Sequence, residues 1–138
     1  MVDKNLILIK IDKIKEYLEY LQPAKNYSLT EFRSNPQIFG SSERFLHLAI
    51  ECAIDIGNHV ISDLHLRKPG SNREVFEILH ENKFINDELR DSLCKMAQFR
   101  NILVHDYLKI DREIVFTILQ RNLSDLEKFI VEVINSLC

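Results

Sequence analysis

Apolar residues recur at helical spacing along almost the whole chain. Over residues 4–22 they fall at Leu6, Ile9, Ile14, Leu18 and Leu21, and Pro23 closes the run. Ser28 and Glu31 have capping-box spacing and predict a short helix. The stretch SNPQIFGSS reads as the first break, with Ser41 or Ser42 opening a long helix that runs to about His65. RKPGSNRE reads as a loop and EVFEILHEN as a shorter helix. Asn86 or Asp87 caps the next helix and Asp111 the last, within which Ser124 and Glu127 predict a restart or kink. No β-alternation, repeat or low-complexity segment interrupts this pattern. The expectation is an all-α bundle with four principal helices plus short ones, spanning residues 1–138 as one domain.

Composition supports the pattern. Only three Gly and three Pro occur in 138 residues, so turn formers are scarce. The net charge of −3 argues against a chain that coats nucleic acid through its overall field, and leaves room for a locally basic cleft. Cys52, Cys94 and Cys138 follow no metal or redox spacing and read as thiols of a reducing compartment. Lys10, Asp12 and Lys13 interrupt the apolar N-terminal run, so it cannot span a bilayer. The expected location is the cytoplasm, with no membrane partner.

One segment departs from the pattern. In FRNILVHDY, residues 99–107, an arginine, an asparagine and a histidine crowd a helix that otherwise looks like core. With Leu89 set at zero on a helical wheel, Leu93, Met96, Leu103, Val104 and Tyr107 fall within about 60°. Arg100 falls at about 20°, inside that apolar stripe, where an unpaired guanidinium would be very costly. Asn101 and His105 fall near 120° and 160°, on one edge.

The helix predicted from residue 42 onward offers counter-charges. It is apolar nearly all round, except for one line at i, i+4 spacing: His47, Glu51, Asp55 and His59, flanked by Arg44 and Asn58. Glu51 and Asp55 are the candidates to hold Arg100. Four such residues spread over three turns cannot converge on one ion, so no metal site is expected. Taken singly, the line also fits a solvated face, Arg100 a structural ion pair and His105 a surface histidine.

Together these residues resemble the Arg-x-x-x-x-His motif of the HEPN superfamily. FRNILVHDYLKIDREIVF is closer still to the HepT family motif, Arg-Asn-x-x-x-His-x-Tyr. ERFLHLAIECAIDIGNHVI and EVFEILHENKFINDELRDSLCKMAQFRN resemble that family's preceding helices, so the likeness covers nearly the whole chain. The resemblance implies a HEPN-type up-and-down bundle that forms a homodimer, the motif helices meeting near the twofold axis. It implies a metal-independent endoribonuclease toxin of a type VII-like toxin–antitoxin pair, acting on RNA without a cofactor. Arg100 and His105 would be catalytic, Asn101 would orient the substrate, and Glu51, Asp55 and His59 would support them. The implied partner is an MntA-like minimal nucleotidyltransferase antitoxin that silences the toxin by transferring AMP to Tyr107. The alternative is a catalytically silent HEPN module that binds a nucleotidyltransferase or a nucleotide. Both reactive residues are intact, which favours the enzyme.

The chemistry stands independently of the resemblance. Histidine titrates near neutrality and can act as base or acid. Arginine can grip a phosphate with two bonds and stabilise charge in the transition state. Within one helix Arg100 and His105 diverge by about 140°, awkward for a single phosphate. Two copies across a twofold axis remove that difficulty.

Overall fold

The computed structural model describes residues 3–137, which contain seven α-helices, two 3-10 turns and no strand. The helices are α1 (Lys4–Leu21), α2 (Leu29–Ser34), α3 (Pro36–Asp63), α4 (Asn72–Glu81), α5 (Asp87–His105), α6 (Arg112–Arg121) and α7 (Leu123–Leu137). The 3-10 turns are Gln22–Asn26, after α1, and Tyr107–Lys109, after α5. The expected all-α architecture is present, and the four longest helices are α1, α3, α5 and α7.

Caps account for most helix starts. Ser28 and Glu31 form the reciprocal capping box that their spacing predicts. Ser71, Asn86 and Asp111 each accept a backbone N–H from the first turn of α4, α5 and α6.

The start of α3 corrects the expected break. SNPQIFGSS is not a loop: Asn35 caps the backbone of Gln37 and Ile38, and Pro36 takes the first helical position. Proline fits there because its missing N–H would have had no partner anyway. Gly40, Ser41 and Ser42 lie inside the helix, the Ser41 hydroxyl donating to the Ile38 carbonyl. The restart near the C-terminus exists, but at Asn122 rather than Ser124. The Asn122 amide and the Ser92 hydroxyl both donate to Asp125.

The buried face of α1 also differs from expectation. Its register is Ile7, Ile11, Ile14, Leu18 and Leu21, whereas Ile9 is 62% exposed and Leu6 half-buried. The run LILI offers apolar side chains on several faces. The three- and four-residue steps back from Leu21 select Ile7 and Ile11.

Helix α1 packs antiparallel on α3. The Asp3 N–H donates to Asp63 at one end, Lys10 meets Asp55 at 3.5 Å in the middle, and Tyr20 lies on Phe45 at the other end. Helix α4 folds back on α5, with His80 against Asp87 at 2.5 Å and the Cys94 thiol on the Arg73 carbonyl. α3 and α4 approach closely at Gly57, where a Cβ would overlap the Val75 side chain. Helix α7 closes the core, Phe129 packing edge-on to Phe76. The core is one contiguous cluster, centred on Leu46, Ala49, Ile50, Ala53 and Ile56 of α3. No helix among the described residues is long and apolar enough to cross a membrane.

Candidate active site

Helix α5 is anchored by its first four turns. Leu89, Leu93, Met96, Ala97 and Phe99 are buried, and Asp87 and Glu88 sit where the helix dipole favours anions. Beyond Phe99 the burial weakens: Ile102, Leu103 and Val104 are half-buried, while Asn101 and His105 are exposed. The end of α5 therefore presents polar groups at the edge of the core.

Arg100 resolves the conflict posed by its place on the apolar stripe. Its side chain is 17% exposed, and its Nε donates to Glu51 Oε2 at 2.6 Å. One Nη donates to Asn101 Oδ1 at 3.2 Å. These bonds use two of the guanidinium's five N–H donors. They fix its plane and leave donors for a phosphate. Asn101 accepts through its oxygen, so its amide nitrogen can donate outward.

Glu51 is held from the other side by His47, whose Nε2 lies 3.4 Å from the same carboxylate oxygen. His47 Nδ1 in turn lies 3.4 Å from an Arg44 Nη. An arginine can only donate, so Nδ1 accepts and Nε2–H faces Glu51. Burial lowers the pKa of His47, the charge of Glu51 opposes this, and Arg44 and Arg100 lower it further; the net direction is down. Burial raises the Glu51 carboxyl, but hydrogen bonding and charge from Arg100, with help from His47, outweigh it; the net direction is again down. The result is a chain of four side chains, from Arg44 through neutral His47 and charged Glu51 to Arg100.

Of the two carboxylates expected to hold Arg100, only Glu51 does so. Asp55 is turned to α1, where Lys10 pairs with it. The half-buried His59 stands about 12 Å beyond Glu51 along the helix axis and is not among the partners of Arg100. His47 gained no role from the sequence. Its signal was its place one turn before Glu51 on the same line.

His105 is the last residue of α5, and Asp106 ends the helix with its N–H on the Ile102 carbonyl. Tyr107 lies in the following 3-10 turn, so its position on the extended helical wheel does not apply. Its side chain lies outside the described residues.

Comparison with known proteins gives this geometry a family. A model described as ribonuclease HepT-like matches residues 7–133. The chain belongs to the HepT-like ribonuclease family. It is 34% identical over 126 residues to the mRNA nuclease HepT of Shewanella oneidensis, covering 91% of this chain and 94% of that one. It is 32% identical over 115 residues to the tRNA nuclease HepT of Aphanizomenon flos-aquae, covering 83% and 78%. Among solved structures, a toxin–antitoxin with AMP-PNP superposes with a TM-score of 0.88 at 33% identity, over 96% of this chain and 99% of that one. The tri-AMPylated Shewanella oneidensis HEPN toxin in complex with MNT antitoxin superposes at 0.86 with 34% identity, over 99% of both chains. The HepT-like chain thus shares its fold and about a third of its sequence with chains of solved toxin–antitoxin complexes, one of them a HEPN toxin bound to an MNT antitoxin.

Proposed function

We propose that the HepT-like chain is a metal-independent endoribonuclease toxin whose reactive pair is Arg100 and His105. The observation that carries this reading is the capture of Arg100 by Glu51 at 2.6 Å, beside Asn101 and five residues before the exposed His105. A guanidinium oriented at the core edge can bind a phosphodiester and stabilise charge as the phosphorane forms. His105 takes the proton of a ribose 2′-hydroxyl, whose oxygen attacks the adjacent phosphorus. The bond to the 5′-oxygen breaks, an acid protonates the leaving oxygen, and a 2′,3′-cyclic phosphate and a 5′-hydroxyl result. Because Arg100 and His105 diverge by about 140° on α5, the site is built across a homodimer, each protomer supplying what the other lacks.

Regulation by a nucleotidyltransferase antitoxin belongs to the same reading. It is supported by the likeness to the tri-AMPylated toxin bound to MNT antitoxin. The Tyr107 oxygen attacks the α-phosphorus of ATP, pyrophosphate leaves, and an AMP group remains. That group adds bulk and negative charge two residues past His105, which would compete with an RNA phosphate.

The test is cleavage of total RNA by purified protein. Arg100→Ala and His105→Ala should each abolish cleavage while helical content is kept, and chelators should have no effect. Mixing the two variants should restore activity in part, since one of the mixed sites regains both residues. Cleavage by His105→Ala at the wild-type rate overturns the acid–base role. A silent binding module would bind its nucleotidyltransferase and cut nothing.

A further inference from the structure

A second feature lies on the same ridge of α3 that holds Arg100. Stepping back from Glu51 by four residues at a time gives His47, Glu43 and Phe39. This oblique i, i+4 ridge covers about 18 Å along the axis, the reach of a few nucleotides. At its far end Phe39 and Glu43 line a cleft of about 670 Å³, together with Lys109, Ile110 and Arg112 from the segment that follows the motif. The Arg112 guanidinium lies 3.7 Å over the Phe39 ring. Phe39 is half-buried and packed on the core, whereas Arg112 and Lys109 are exposed. The ring thus backs the flat cation of an exposed residue that itself lines the cleft.

This arrangement has the parts needed to read a single strand. An arginine plane supported from behind is a stacking surface for a nucleobase. Glu43, at the cleft wall, is an acceptor suited to an exocyclic amino group. The exposed Lys109 supplies a cation for a phosphate. Helix α3 and the segment 108–112 both lead from this cleft back to the motif, so a strand that follows the α3 ridge away from Arg100 reaches it.

We propose that the Phe39–Arg112 stack is a base-binding subsite for the RNA strand flanking the scissile phosphate, and that it helps set which sequences are cut. This rests on the ribonuclease reading above, and it assigns the first substrate contacts outside the motif.

The experiment uses the full-length homodimer and single-stranded RNA oligonucleotides of randomised sequence, with the cut ends sequenced. Arg112→Ala should raise KM about tenfold or more, change kcat less than threefold, and flatten the base preference a few nucleotides from the cut. Arg112→Lys keeps the charge and loses the plane, so it should behave like Arg112→Ala in base preference. Both variants should melt within a few degrees of wild type, because Arg112 is exposed. A complementary measurement places 2-aminopurine at successive positions of an RNA bound to the His105→Ala protein. Quenching at one position that is lost on adding Arg112→Ala supports stacking. Unchanged KM and unchanged base preference in Arg112→Ala overturn the subsite, as does full retention of preference in Arg112→Lys. If the wild type cuts no RNA, the ribonuclease reading itself has failed, which is a different result from wild-type cleavage that ignores Arg112.

Discussion

Arg100 and Glu51 stand 49 positions apart in the chain and meet at 2.6 Å, the shortest link between the motif helix and the core helix α3. Charge-assisted bonds of this kind are worth about 1.5–3 kcal/mol. Glu51→Gln keeps the shape and removes the charge, so Arg100 loses its anchor while His47 loses its acceptor charge. We expect kcat to fall about 10- to 100-fold, that energy converted at 1.4 kcal/mol per decade, with little change in helical content. Single-turnover cleavage beside a circular dichroism melt checks this. A Gln variant with wild-type kcat would mean that Glu51 does not orient the guanidinium.

The His47 link carries a pH dependence. Its pKa is depressed in the folded chain, first by burial and then by the neighbouring arginines, from an ordinary 6.5. The unfolded state therefore binds more protons than the native state between the two values. Stability contributed by neutral His47 is present above pH 6.5 and drains away as pH falls toward its folded value. Glu51 is also depressed, against the upward push of burial, from an ordinary 4.5, and it adds a second loss below pH 4.5. Urea midpoints measured from pH 8 to pH 3 should fall in two stages, and His47→Gln should remove the first. An unchanged upper stage in that variant would place its origin in another group.

Tyr107→Phe removes the oxygen proposed to accept AMP and keeps the ring. We expect cleavage to stay within about threefold of wild type, and sensitivity to the nucleotidyltransferase to disappear. Intact-mass spectra after incubation with the partner and ATP give the readout. Additions in multiples of AMP should appear on wild type alone; additions on the Phe variant would point to another acceptor.

Gly57 allows α3 and α4 to approach until a Cβ has no room beside Val75. Alanine is preferred in a helix by about 1 kcal/mol, yet overpacking costs about 1–3 kcal/mol. Gly57→Ala should therefore be net destabilising, by roughly 1 kcal/mol. In a Val75→Ala background, where the obstructing methyls are gone, the same change should cost less. Urea unfolding of the four chains closes the cycle, and equal costs in both backgrounds would show that the contact is not limiting.

How much was legible depended on whether the deciding interaction was local. Caps at Ser28, Asn86 and Asp111 satisfy donors within their own first turn, so those helix starts were readable. The start of α3 was misplaced because Gly40-Ser41-Ser42 resembles a break, while Asn35-Pro36 already supplies a cap and a first helical residue. Arg100 on an apolar stripe demanded an anion, and Glu51 answered. Choosing between Glu51 and Asp55 needed Lys10 of α1, an ion-pair partner that no wheel of α3 or α5 displays. Tyr107 was drawn on the α5 wheel, but the helix stops at His105, and angular position loses meaning once the backbone leaves the helix.

The unbroken run of α3 from Pro36 to Asp63 has a genetic corollary. Phe39, Glu43, His47 and Glu51 lie on one continuous oblique ridge. A single codon gained or lost between Phe39 and Glu51 would swing one end about 100° out of step with the other. Substitutions can retune either end separately, but length changes in this span break both together. Variation along α3 among HepT-like chains should therefore accumulate as point changes, with insertions confined to the segments that join the helices.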